Sequence, residues 1–165
     1  MFKIKQLKKF IFVQKLKVMI QRIQTVYLLI SVLLMGSLFL LPFAEIVKDG
    51  VIYLFNFQGI ILDGTVKENG FSISALISII IALHGVAILG YKNRIRQRRF
   101  IVFSILLMLG LFGMFFFFIY DSFSDAQISF KISIVFPVVA IILDYLAIRA
   151  IGKDEALIRS IDRIR

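Results

Sequence analysis

The sequence predicts an all-α membrane protein: a four-helix transmembrane bundle with a short extracytoplasmic β-hairpin and a cytoplasmic amphipathic C-terminal helix. Three observations carry that expectation. The 165-residue chain is 60% hydrophobic, with a mean hydropathy of +0.95, whereas soluble domains are about 45–50% apolar. Four apolar runs each approach the ~20 residues that a helix needs to cross ~30 Å of hydrocarbon. The basic residues gather between those runs, as they do where charge orients membrane helices.

The four predicted spans are residues 23–44, 71–91, 100–120 and 128–148, the last interrupted by Lys131 and Asp144. Continuous apolar runs favour helices over barrel strands, which would alternate along much shorter segments. Helices also satisfy their backbone polar groups within each segment, as lipid requires. The first run follows a basic stretch, as in a signal sequence, but it is long for a cleaved segment and carries no small-x-small cleavage site. Pro42 and Pro137, towards the outer ends of spans one and four, are expected to kink or end their helices.

Orientation follows from charge. The formal net charge is +10. Residues 1–22, 92–99 and 149–165 hold all the basic residues except Lys48, Lys67 and Lys131. The positive-inside rule therefore puts both chain ends of a multi-pass membrane protein in the cytoplasm. The same charges point to anionic lipid headgroups at the cytoplasmic face rather than to nucleic acid.

Two segments between and beyond the spans carry structure of their own. Residues 45–70 hold Asp49-Gly50 and Asp63-Gly64 around β-branched and aromatic residues, which predicts a short hairpin. The tail places Ile151, Leu157, Ile158, Ile161 and Ile164 on one helical side. Glu155–Arg159 and Asp162–Arg165 are spaced as helical ion pairs. A basic amphipathic helix of this kind is expected to lie on the membrane surface or cap the bundle, with docking of a cytoplasmic partner as the alternative. Residues 1–18 form a lysine-rich extension with a similar pattern, and residues 19–165 read as a single four-span domain. Met19 is an alternative start.

Candidate chemistry is sparse. His84 in span two and Asp144 in span four lie at similar depth from the cytoplasmic ends, so they form a candidate intramembrane polar pair that could relay protons. Ser74, Ser78, Ala82 and Gly85 make a small-residue stripe that would let another helix approach closely. The run Phe115 to Phe118 reads as packing. There are no cysteines, which excludes thiolate catalysis and thiolate metal sites. Gly59-Ile-Ile-Leu-Asp-Gly64 lacks the Lys-Ser/Thr ending of a phosphate loop, and no catalytic motif, metal site or cofactor site is expected.

Met19-Ile-Gln-Arg-Ile-Gln-Thr-Val-Tyr27 and Leu146-Ala-Ile-Arg-Ala-Ile-Gly-Lys-Asp-Glu-Ala-Leu-Ile-Arg-Ser-Ile-Asp-Arg-Ile-Arg165, together with the four-run layout, resemble a family of small four-span bacterial inner-membrane proteins classed as a domain of unknown function. The resemblance covers about residues 19–165 and implies a bacterial inner membrane, with no activity or site residue to carry over. The sequence is thus read as a structural, accessory or interaction subunit, with a protein partner or a homo-oligomer, and not as an enzyme. The alternative reading is a small oligomeric transporter or channel using His84 and Asp144.

Overall fold

The structure is a computed structural model. It describes residues 23–91, 93–122 and 126–162, with the backbone alone described at 121–122 and 157–162. The basic N-terminal extension and the pairings of Arg159 and Arg165 lie outside the described side chains.

In chain order the elements are α1 (Ile23–Ser37), β1 (Ala44–Lys48), β2 (Val51–Asn56), β3 (Gly59–Leu62), β4 (Thr65–Asn69), α2 (Phe71–Leu89), α3 (Arg94–Ser122), β5 (Gln127–Phe130), a 3-10 turn (Ile132–Val135) and α4 (Phe136–Asp162). The architecture is therefore helices plus a five-stranded antiparallel sheet of order β4-β3-β2-β1-β5, which corrects the expected all-α four-helix transmembrane bundle.

Among the described residues, three helical segments, Phe71–Leu89, Arg94–Tyr120 and Ile132–Ala156, are long and apolar enough to cross a membrane. The described part of α1 has 15 residues, about 22 Å of helix against a ~30 Å hydrocarbon core. The predicted first span fails at its outer end. Pro42 cannot continue a helix and disfavours α geometry before it, and Ala44 already belongs to β1. The predicted fourth span fails at its start, because Ile128 and Phe130 lie in β5. Lys131 sits at the sheet, paired with Glu45 at 2.7 Å. Pro137 falls in the first turn of α4, where its missing N–H costs nothing.

The expected short hairpin is a four-strand meander joined by a fifth strand. At Asp49-Gly50 both residues have positive φ (52° and 77°), as they do at Asp63-Gly64 (46° and 76°). That is the type I′ turn that Asp-Gly favours. β5 arrives from the far end of α3 and pairs with β1, Ala44 facing Phe130 and Val47 facing Gln127. Alternation sends Ala44, Ile46, Phe55 and Ile60 inward. Phe115 of α3 meets Phe43 and Phe55 there, with ring centroids 4.6 Å and 5.8 Å apart. This aromatic cluster ties the sheet to the helices.

Because β1 and β5 are neighbours, the end of α1, the start of α2, the end of α3 and the start of α4 all meet at the sheet. The α2–α3 connection lies at the opposite end. There Arg94 pairs with Asp154 and Arg98 with Glu155, each at 2.5 Å. The expected separate C-terminal helix is a continuation of α4, which runs unbroken to Asp162.

Candidate functional site

α2 buries one face through Ile73, Ile77, Ile80, His84 and Ala87. α4 buries Ala140, Asp144, Ala147, Ile151 and Asp154. Steps of three and four keep each set on one side of its helix. His84 and Asp144 therefore point inward because of their phase, and both are fully buried.

The structure brings the two into contact. His84 Nε2 lies 3.0 Å from both carboxylate oxygens of Asp144. His84 Nδ1 lies 2.8 Å from the Ile80 carbonyl oxygen. A carbonyl only accepts, so Nδ1–H donates to Ile80. One further proton then sits between Nε2 and the carboxylate. It makes either an imidazolium facing a carboxylate or a neutral imidazole accepting from a carboxylic acid. Both forms leave the pair neutral overall, which is what a buried site without other charges requires.

The pair belongs to a layered core. Leu28, Ala87, Ile101 and Ala147, one from each helix, form a fully buried apolar cluster with Ile151. Three residues nearer the sheet on each helix stand Ser31, His84, Ser104 and Asp144, all fully buried. One turn further come Met35, Ile80, Met108 and Ala140 of the larger apolar core. On the other side of the smaller cluster lie Gln24, Gln97 and Asp154, again buried. Polar and apolar layers thus alternate towards the α2–α3 end, while the buried residues at the sheet end are apolar apart from Ser133. Ser31 Oγ donates to the Ala140 carbonyl at 3.4 Å, and Ser104 Oγ donates to the Phe100 carbonyl at 3.0 Å.

Among the described residues, no group of three or more His, Cys, Asp or Glu side chains could hold a metal ion.

A family model described as a domain of unknown function (DUF4293) matches residues 20–164. The chain belongs to this family. No curated protein matches it.

The small-residue stripe of this DUF4293 domain lies beside the buried face of α2. Ser78 and Ala82 are exposed, and Ser74 and Gly85 half-buried. Nothing stands within 4 Å of a Cβ built on Gly85, and the Ser78 hydroxyl donates to Ser74 O of its own helix at 2.8 Å. Of the phenylalanine run, Phe115 is fully buried, whereas Phe116 and Phe117 are exposed.

Ser31, Ser104, Gln24 and Gln97 were not marked out by the sequence, where only the ionisable residues of the spans stood out as candidate chemistry. Their signal is spacing: 24, 28, 31, 35 and 38 on α1 and its following turn repeat as 97, 101, 104, 108 and 111 on α3.

Proposed function

We propose that this domain is an accessory or interaction subunit of the bacterial inner membrane. In this reading the α2–α3 connection and both chain ends face the cytoplasm and the sheet faces the opposite side. The observation that carries it is the closed His84–Asp144 pair: both imidazole nitrogens and both carboxylate oxygens have partners inside the chain. A pair so satisfied acts as a fastener between α2 and α4. The outer surfaces support the same reading. In each of the three long helices, the most apolar window is only 28% buried inside the chain, so lipid or another protein must cover the remainder. The basic α2–α3 end supports the orientation through the positive-inside rule.

The test is co-purification from native membranes in a mild detergent, followed by mass spectrometry. A stoichiometric foreign membrane protein is the expected result. Solute movement by the purified protein alone in liposomes would refute the subunit reading.

One observation favours a second reading, a small oligomeric transporter or channel. Every helix contributes one polar residue to the Ser31–His84–Ser104–Asp144 layer. In that case replacing both His84 and Asp144 abolishes flux, and unchanged flux in the double variant excludes it.

A further inference from the structure

The two halves of the helical core carry the same sequence pattern. Ser31-Val-Leu-Leu-Met-Gly-Ser-Leu-Phe39 of α1 and its following turn aligns with Ser104-Ile-Leu-Leu-Met-Leu-Gly-Leu-Phe112 of α3, identical at six of nine positions. Ile81-Ala-Leu-His-Gly-Val-Ala-Ile88 of α2 aligns with Ile141-Ile-Leu-Asp-Tyr-Leu-Ala-Ile148 of α4, identical at four of eight. In this register His84 falls on Asp144.

Burial repeats in the same register. Residues 23–40 and 96–113 are alike in being buried, half-buried or exposed at every position but Gly36/Leu109 and Ser37/Gly110. Residues 76–84 and 136–144 match throughout. Composition alone would not align both helix pairs and the two halves of one hydrogen-bonded pair at once.

The backbone follows suit. Each outward helix is followed by a strand, β1 after α1 and β5 after α3, and these two pair antiparallel with Ile46 facing Ile128. An antiparallel pair carries a local two-fold axis of its own.

We propose that the core is two copies of one helix–strand–helix unit, residues 23–91 and 96–151, related by a pseudo-two-fold axis that passes between His84 and Asp144. The first copy holds β2 to β4 as an insertion. The axis explains the serines. Ser31 donates across to Ala140 O, and its counterpart for Ser104 is Ile80 O. That carbonyl already accepts from His84 Nδ1, so Ser104 turns back to Phe100 O on its own helix. The two copies differ at the axis for a physical reason. Two carboxylates there would bury like charges, whereas one carboxylate and one imidazole share a proton and are neutral together. Ser31 and Ser104 are positioning residues that adjust to whichever side carries the imidazole.

Two measurements test this. The chain has no cysteines, so spin labels can be placed at Leu33→Cys/Ile79→Cys and, separately, at the equivalent Leu106→Cys/Val139→Cys. These sites are exposed to 63%, 51%, 57% and 39%. Their electron–electron distances are expected to agree within about one helical turn, ~5 Å. A larger difference overturns the proposal, and this measurement does not depend on the pair. The second is an exchange across the axis. His84→Asp and Asp144→His singly are each expected to lower the unfolding midpoint by about 10 °C, and the double exchange to recover more than half of that loss. In the exchanged chain Ser104→Ala is expected to become more damaging than Ser31→Ala, the reverse of the parent order. A double exchange no more stable than either single variant also overturns the proposal.

Discussion

Removing one side of the His84–Asp144 contact strands the other in the helix core. Breaking a buried pair from one side typically costs about 3–5 kcal/mol, whereas replacing both partners with apolar groups is often neutral. Asp144→Leu should therefore destabilise by about 3–5 kcal/mol and His84→Leu/Asp144→Leu by about 1 kcal/mol or less. Asp144→Asn keeps an amide N–H to donate to Nε2 and should cost about 1 kcal/mol. A denaturant titration in detergent micelles ranks the three, and a double variant as unstable as the single would mean the pair is not a closed unit. Glycines give an opposite pair of outcomes. A Cβ on Gly59 would lie 1.9 Å from Glu68 O and 2.5 Å from Gly70 N, at φ 111°. Gly59→Ala should cost more than about 2 kcal/mol. Gly85, with open space around it, should gain about 0.5–1 kcal/mol on becoming Ala inside α2. The same titration separates them, and similar values for both would remove the close approach at Gly59 as their cause.

At the scale of elements, the Phe115 contact with Phe43 and Phe55 holds the sheet against α3. Phe115→Ala should cost about 3–5 kcal/mol, while Phe117→Ala, 64% exposed in the parent, should change unfolding by less than about 1 kcal/mol. Equal effects would show that the sheet is not fastened there. Period and punctuation made much of these elements legible in advance. The Asp-Gly pairs announced two turns, and the helical interiors of α2 and α3 were plain from their apolar runs. His84 and Asp144 came together because each keeps phase with a buried helical face. The sheet was harder to see. Thr65–Asn69 is wholly exposed and holds a single apolar residue, Val66, so it lacks alternation. β5 is a four-residue strand whose apolar residues merge with the next helix in a hydropathy reading. Its pairing with β1 joins residues 80 or more positions apart, a contact that no local pattern encodes. The stripe and the buried face of α2 were also entangled, since a 3.6-residue period offers several neighbouring faces and only packing selects among them.

The whole molecule is apolar along its sides, and its two ends differ in charge. At the α2–α3 end, Arg94, Arg96, Arg98 and Arg99 stand near Arg149 and Lys153, and only part of that charge is met by Asp154 and Glu155. At the sheet end Lys131 is paired with Glu45, and β4 holds Lys67 beside Glu68. In the proposed orientation the first end faces the cytoplasm. The cysteine-free chain makes this directly measurable with single substitutions. Lys67→Cys on the exposed β4 should react with a membrane-impermeant maleimide in intact spheroplasts. Asn93→Cys, exposed at the α2–α3 connection, should react only after the membrane is broken. The reverse pattern would mean that the net charge of the α2–α3 end does not set the orientation, and labelling of both sites in intact spheroplasts would mean that the long helices do not separate the two ends across a bilayer.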